Sequence, residues 1–138
     1  MPSNIEYIEK LRKSGLRPTK QRIQICEVLF NKNKTFHFTI NDLVKMIEIN
    51  TNKKISLATV YNTIHAFKKK NYLKEIAINS SQTYFDTNIT DHHHFFDEKN
   101  KELIDLENEA VDPINIKKTI PGKKIKSVEV LVRVEQDN

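Results

Sequence analysis

The sequence predicts an α+β chain, an N-terminal winged helix-turn-helix followed by a small α/β lobe. Three observations carry that expectation. Apolar residues recur at helical spacing in four segments before residue 70, and short period-two runs fill most of the remainder. The charge divides along the same line: residues 1–90 hold 15 Lys/Arg against 7 Asp/Glu, whereas residues 91–138 hold 8 against 11.

In chain order, Ile5, Ile8 and Leu11 space a first helix over residues 4–14, which Gly15 ends. The stretch LRPTKQRIQICEVLFNK starts a second near Pro18, with Ile23, Cys26, Val28, Leu29 and Phe30 on its buried side. Thr39 and Asp42 form a capping-box pattern for a third, whose Leu43, Val44, Met46 and Ile47 face inward. Ser56 caps a fourth, SLATVYNTIHAFKKKN, with Leu57, Val60, Ile64 and Phe67 on one face. The runs YLKEIAI and QTYFDT around NSS read as a hairpin, the wing. A second hairpin joins HHHFFDE to KELIDLE across Lys99 and Asn100, and IKSVEVLVRV alternates as a strand after the Pro121-Gly122 turn. The expected division is a winged-helix domain over 1–87, a hinge over 88–91 and a second domain over 92–138.

Composition narrows the chemistry. At 138 residues and 38% apolar content, one modest core or two small lobes can form, and two such lobes are expected to dimerise. A single cysteine, Cys26, excludes an internal disulfide framework and a four-cysteine zinc clamp, and favours a reducing setting. With no apolar run of membrane-spanning length and no signal-peptide pattern, a cytoplasmic protein without a membrane partner is expected.

The fourth helix is the natural reading helix. Its apolar stripe leaves Ala58, Thr59, Tyr61, Asn62 and His65 outward, small or hydrogen-bonding groups suited to base edges and thymine methyls. Arg17, Lys20, Arg22 and the Lys68–Lys70 run suit phosphates or a minor groove. Singly, each of these is more readily an ordinary surface residue; together, in winged-helix order, they favour double-stranded DNA.

TDHHHFFDE asks for a geometry. On a strand His92 and His94 share one face and His93 takes the other. Asp86 at the end of the wing, Asp105 on the pairing strand and His37 before the third helix complete a set of three nitrogens and two carboxylates. Such a set suits Fe(II), Mn(II) or Zn(II) and has no soft ligand for copper(I). The competing reading, hydrogen-bonded or surface histidines, is kept for His65.

The motifs LRPTKQR, ISLATVYNTI, YFDTN and HHHFFDE...KELIDL, in this order and spacing, resemble the ferric uptake regulator family over residues 11–134. The asparagine of TVYNT and the DHHHFF run look most like its iron response regulator branch. The resemblance implies a homodimeric metal- or haem-responsive transcriptional regulator, mainly a repressor, of iron homeostasis genes. A manganese-, zinc- or peroxide-sensing member of the family is the alternative. It places regulatory metal ligands on His37, Asp86, His92, His94 and Asp105, and DNA contacts on Arg17 and residues 59–62. It also implies a possible second metal or haem site, of which only His93 and Asp112 remain. Many relatives hold a structural zinc in two CxxC pairs. Asp97 and Asn100 stand at the first pair's positions, so that zinc is not expected. The helix that relatives place in the second lobe is expected to be short, because Pro113, Pro121 and Gly122 interrupt residues 110–125. Two other classes remain open, a metallohydrolase and a metal-free winged-helix adaptor. The chain shows no separate nucleophile or general base for the first, so no enzyme activity is expected.

Overall fold

The computed structural model describes residues 3–138, which divide into two compact units, one up to residue 89 and one from residue 90 onward. The first unit holds four helices, α1 (Asn4–Lys13), α2 (Lys20–Phe30), α3 (Ile40–Thr51) and α4 (Leu57–Lys69), with strands β1 (His37–Phe38), β2 (Lys74–Asn79) and β3 (Gln82–Asp86). The second holds β4 (His93–Asp97), β5 (Glu102–Leu106), a single 3-10 turn at Asn108–Ala110 and β6 (Leu131–Val134). Among the described residues no helix is long and apolar enough to cross a membrane.

Hydroxyl caps and left-handed exits set the helix ends. Ser3, Thr19, Thr39 and Ser56 each accept from the backbone N–H three residues on, and at Thr39 the Asp42 carboxylate returns a bond to complete a capping box. The second helix therefore begins after Thr19, and Pro18 precedes the cap instead of opening the first turn. Gly15, at φ 76°, closes α1 with Leu16 N–H donating to Leu11 and Gly15 N–H to Arg12; Asn71, at φ 61°, repeats the device after α4.

One apolar core lies in the first unit. Leu11, Ile25, Cys26, Leu43, Ile47, Val60, Ile64 and Phe67 meet there with Phe38 and Phe85 of the sheet. Three details depart from the sequence expectation. Ile5 is 70% exposed while Tyr7 is buried, because α1 packs only through its 7–11 stripe. Leu57, in the first turn of α4, is 50% exposed; six residues further in, Thr63 enters the core and satisfies its hydroxyl by donating to the Thr59 carbonyl at 2.7 Å. Ile25, absent from the expected buried face of α2, is fully buried.

The wing sheet has the order β1-β3-β2 and is antiparallel throughout. In the second unit the order is β5-β4-β6, with β4 antiparallel to β5 and parallel to β6. β6 runs antiparallel to β5 but lies on the far side of β4, so the chain between them makes a crossover past β4. Apart from the 3-10 turn, residues 107–130 make that crossover without helix or strand. The strand expected over IKSVEVLVRV is confined to residues 131–134, the part that finds β4 as a partner.

Candidate functional site

Two sets of histidine and aspartate side chains are built, one in each unit. In the first, the two-residue strand β1 pairs with β3 so that His37 lies opposite Asp86 and Phe38 opposite Phe85. His37 is thus part of a strand, not of a loose connection. Phe36 extends the attachment, its N–H donating to Thr87 Oγ1 at 3.0 Å. Phe38 is fully buried and stacks on Phe85 at 5.8 Å, which fixes the backbone from which His37 projects. His37 Nε2 stands 3.1 Å from Asp86 Oδ2, and Asp86 is 1% exposed. The other carboxylate oxygen accepts the Asn88 N–H at 2.8 Å.

In the second unit the β4–β5 register sets His94 opposite Asp105. Asp105 Oδ1 lies 3.2 Å from His92 Nε2 and 3.5 Å from His94 Nε2, and the two imidazole centroids are 4.5 Å apart. His92 Nδ1 is 2.7 Å from the Thr90 carbonyl, so that nitrogen carries the proton and donates. His92 Nε2 and His94 Nε2 thus converge on one carboxylate oxygen, and borderline nitrogen and hard oxygen donors at this spacing suit Fe(II), Mn(II) or Zn(II). The side chains of both units therefore fit a divalent metal.

His93 does different work. Its Nδ1 accepts the Val130 N–H at 3.0 Å, and the Val130 carbonyl accepts the His94 N–H at 3.1 Å, so His93 braces the entry to β6. The same imidazole lines a cavity of about 340 Å3 with Asp91, Asn108, Val111, Asp112 and Pro113. His93 and Asp112 thus share a hollow, although one His93 nitrogen is already engaged by backbone.

Asp97 and Asn100 close the β4–β5 turn with hydrogen bonds. Asp97 accepts from the N–H groups of Lys99 and Asn100 at 3.0 and 3.1 Å and from the Asn100 side-chain amide at 2.9 Å. The Asn100 backbone donor first, with the side-chain amide, Lys99 N–H and the Lys99 charge adding, holds the Asp97 carboxyl below its usual range. Lys101, at φ 56°, completes the reversal.

The outward residues of α4 form a distinct face. Ala58, Tyr61, Asn62 and His65 are exposed and Thr59 half-buried; Tyr61 stacks on His65 at 5.7 Å. Tyr61 and His65 also line a cleft of about 450 Å3 bounded by Thr39–Asn41 at the start of α3 and Ser80–Thr83 of the wing. Arg17 and Lys20 are exposed. Arg22 is half-buried, and its Nη1 donates to the Arg17 carbonyl at 2.9 Å, a brace on the Arg17 loop that side-chain pattern alone does not reveal. Of the three lysines ending α4, Lys68 is ion-paired with Glu75 of β2. Burial pushes the Cys26 thiol up to about 12, so it is a core residue and not a reactive one.

A winged helix joined to a sheet lobe, with histidine–carboxylate sets in both, defines a metal-responsive DNA-binding regulator. The chain belongs to the ferric uptake regulator family, whose model matches residues 13–133. It is 31% identical over 109 residues to the peroxide operon regulator of Bacillus subtilis, covering 79% of this chain and 73% of that protein. Likewise, it is 31% identical to the peroxide-responsive repressor PerR of Staphylococcus epidermidis, covering 79% of this chain and 71% of that one. Its fold is similar to the ferric uptake regulator of Pseudomonas aeruginosa solved with manganese, at TM-score 0.66 and 19% identity over 96% of this chain and 98% of the other.

Proposed function

We propose that the protein is a metal-dependent transcriptional repressor of the peroxide-sensing kind, in which His37 and Asp86 on one side of a hinge and His92, His94 and Asp105 on the other ligate one divalent ion. The observation that carries this reading is the His92/His94/Asp105 cluster, where a ring anchored on the Thr90 carbonyl turns its Nε2, together with that of His94, toward one carboxylate oxygen. The likeness to peroxide repressors favours this kind over the iron response regulator branch.

The domains taken are a DNA-binding one over 1–87, a hinge over 88–91 and a dimerising, metal-holding one over 92–138. Tyr61, Asn62, Thr59, Ala58 and His65 read bases, Arg17 enters a minor groove, Lys20 meets phosphate and Arg22 holds the Arg17 loop in shape. A metal ligated from both sides of the hinge biases the angle between two reading heads in a dimer and so their fit to half-sites a helical turn or its multiple apart. The coupling cannot exceed the difference in metal affinity between the two arrangements.

The test is operator binding by the dimer in the apo form, with Mn(II), Zn(II) or Fe(II), each with and without hydrogen peroxide, and with haem. Fe(II) is oxidised by peroxide, whereas Mn(II) and Zn(II) resist it. The expected result is metal-dependent binding that peroxide abolishes with Fe(II) only. Binding lost on haem addition, with no peroxide effect, would establish the iron response regulator reading through the three-histidine segment instead. Binding unaffected by any metal and by replacement of His92 and His94 with alanine would overturn both.

A further inference from the structure

We propose that Lys10 is a positioning residue for DNA binding: its ammonium, held between the rings of Phe30 and Tyr72, pins α1 against the end of α2 and the turn after α4, and so sets the loop from which Arg17 projects. The proposal rests on the reading of Arg17 as a DNA contact.

Arg17 stands in the connection from α1 to α2, residues 14–19, where Gly15, Arg17 and Thr19 are exposed. Its guanidinium makes no ion pair or hydrogen bond among the described residues, so nothing holds it but its own backbone. That backbone is fixed from two ends. On the α2 side Arg22 Nη1 donates to the Arg17 carbonyl at 2.9 Å. On the α1 side the Leu16 N–H donates to the Leu11 carbonyl at 2.9 Å, and the Ser14 N–H and hydroxyl both donate to the Lys10 carbonyl, at 3.1 and 2.8 Å. The position of the loop therefore follows the position of α1 against α2.

α1 has few anchors, since only Tyr7 and Leu11 of its residues are buried. Lys10 adds another. Its Nζ lies 4.2 Å from the ring centroid of Phe30, the last residue of α2, and 4.2 Å from that of Tyr72, just past α4. Both rings lean on Phe67 of α4, at 5.7 and 5.8 Å between centroids, and Phe67 is fully buried, so the core backs the slot. An ordinary surface lysine reaches into water or pairs with an acid. Lys10 is half-buried instead, and among the described residues no carboxylate pairs with it. Desolvation by burial, the largest influence, pulls its ammonium below the usual lysine range. Two ring faces offset that cost, because their attraction for a cation grows as water is excluded. One side chain thus ties α1 to both of the helices that present DNA-facing residues.

The experiment compares the full chain with Lys10→Met, which keeps a flexible stem able to pack on the rings but drops the charge, and with Lys10→Arg, which restores it. Circular dichroism checks folding. In the free protein, amide exchange at Gly15 and Leu16 should quicken by about threefold or more in Lys10→Met and return to wild type in Lys10→Arg. Mn(II)-loaded protein is then titrated with a duplex that the wild type selects from a random pool and with a scrambled duplex. Lys10→Met should lose about three- to tenfold on the selected duplex and much less on the scrambled one, and Lys10→Arg should lose neither. In an Arg17→Ala background Lys10→Met should add nothing. Unchanged exchange in Lys10→Met, losses that add in the double variant, or equal losses on the two duplexes would overturn the proposal, the last by making Lys10 a phosphate contact. An Arg17→Ala variant that binds the selected duplex like wild type would overturn it through the reading of Arg17, a failure told apart because the exchange result does not depend on DNA.

Discussion

Replacing Phe38 with alanine separates the anchoring of β1 from the chemistry of His37. The ring is fully buried, 5.8 Å from Phe85 and 5.5 Å from Phe36 between centroids. A buried phenylalanine takes roughly 150–250 Å2 out of water, which at about 25 cal/mol per Å2 is about 4–6 kcal/mol, and alanine retains only the Cβ share. Core Phe→Ala changes cost about 3–5 kcal/mol once the cavity is included, so a loss of about 4 kcal/mol is expected. The assay is urea unfolding of the apo protein by far-ultraviolet circular dichroism. All four α-helices lie between residues 4 and 69, so the signal reports the first unit. Ile49→Ala, at a side chain 80% exposed, is the control and should change stability by no more than about 0.5 kcal/mol. Under conditions where the variant is still folded, Mn(II) affinity should fall by about tenfold or more, because a loosened β1 no longer holds His37 opposite Asp86. A stability loss under about 1.5 kcal/mol, or unchanged Mn(II) affinity, would refute the role given to β1.

Three further outcomes are expected. Tyr61→Ala should weaken binding to a specific operator by about 1–3 kcal/mol and binding to random DNA much less; equal losses in a competition assay would make Tyr61 scaffold. Cys26, its thiol raised to about 12 by burial, should stay reduced when peroxide abolishes DNA binding, and thiol labelling followed by mass spectrometry reads this; oxidation keeping pace with lost binding would move the sensing to the core. Asp97 has a carboxyl held down in the folded state, so its contribution to stability is complete above the unfolded carboxylate range and is lost as pH falls through the folded value. Amide exchange at Phe96 and Leu103, compared between wild type and Asp97→Ala, should therefore differ at neutral pH and converge in acid; a difference independent of pH would contradict this.

Local chemistry made some of the fold legible and topology withheld the rest. Thr39 with Asp42, Ser56, and Gly15 mark their helix ends by bonds that span only three to five residues, so residue type and spacing suffice to find them. Two residues carry no period, so although His37 and Asp86 could be grouped as one ligand set, β1 and the pairing that sets them opposite are invisible until β3 supplies the register. The same holds for IKSVEVLVRV, whose alternation is uniform although only residues 131–134 pair with β4 as a strand. The three histidines show the division most clearly. Strand alternation assigns His92 and His94 to one face, and Asp105 meets them there. Which nitrogen each imidazole offers is decided instead by backbone groups, the Thr90 carbonyl for His92 and the Val130 N–H for His93. Backbone groups are the same at every position, so no side-chain pattern encodes them, and the difference between a ligand and a brace within HHH becomes readable only once β6 lies beside β4.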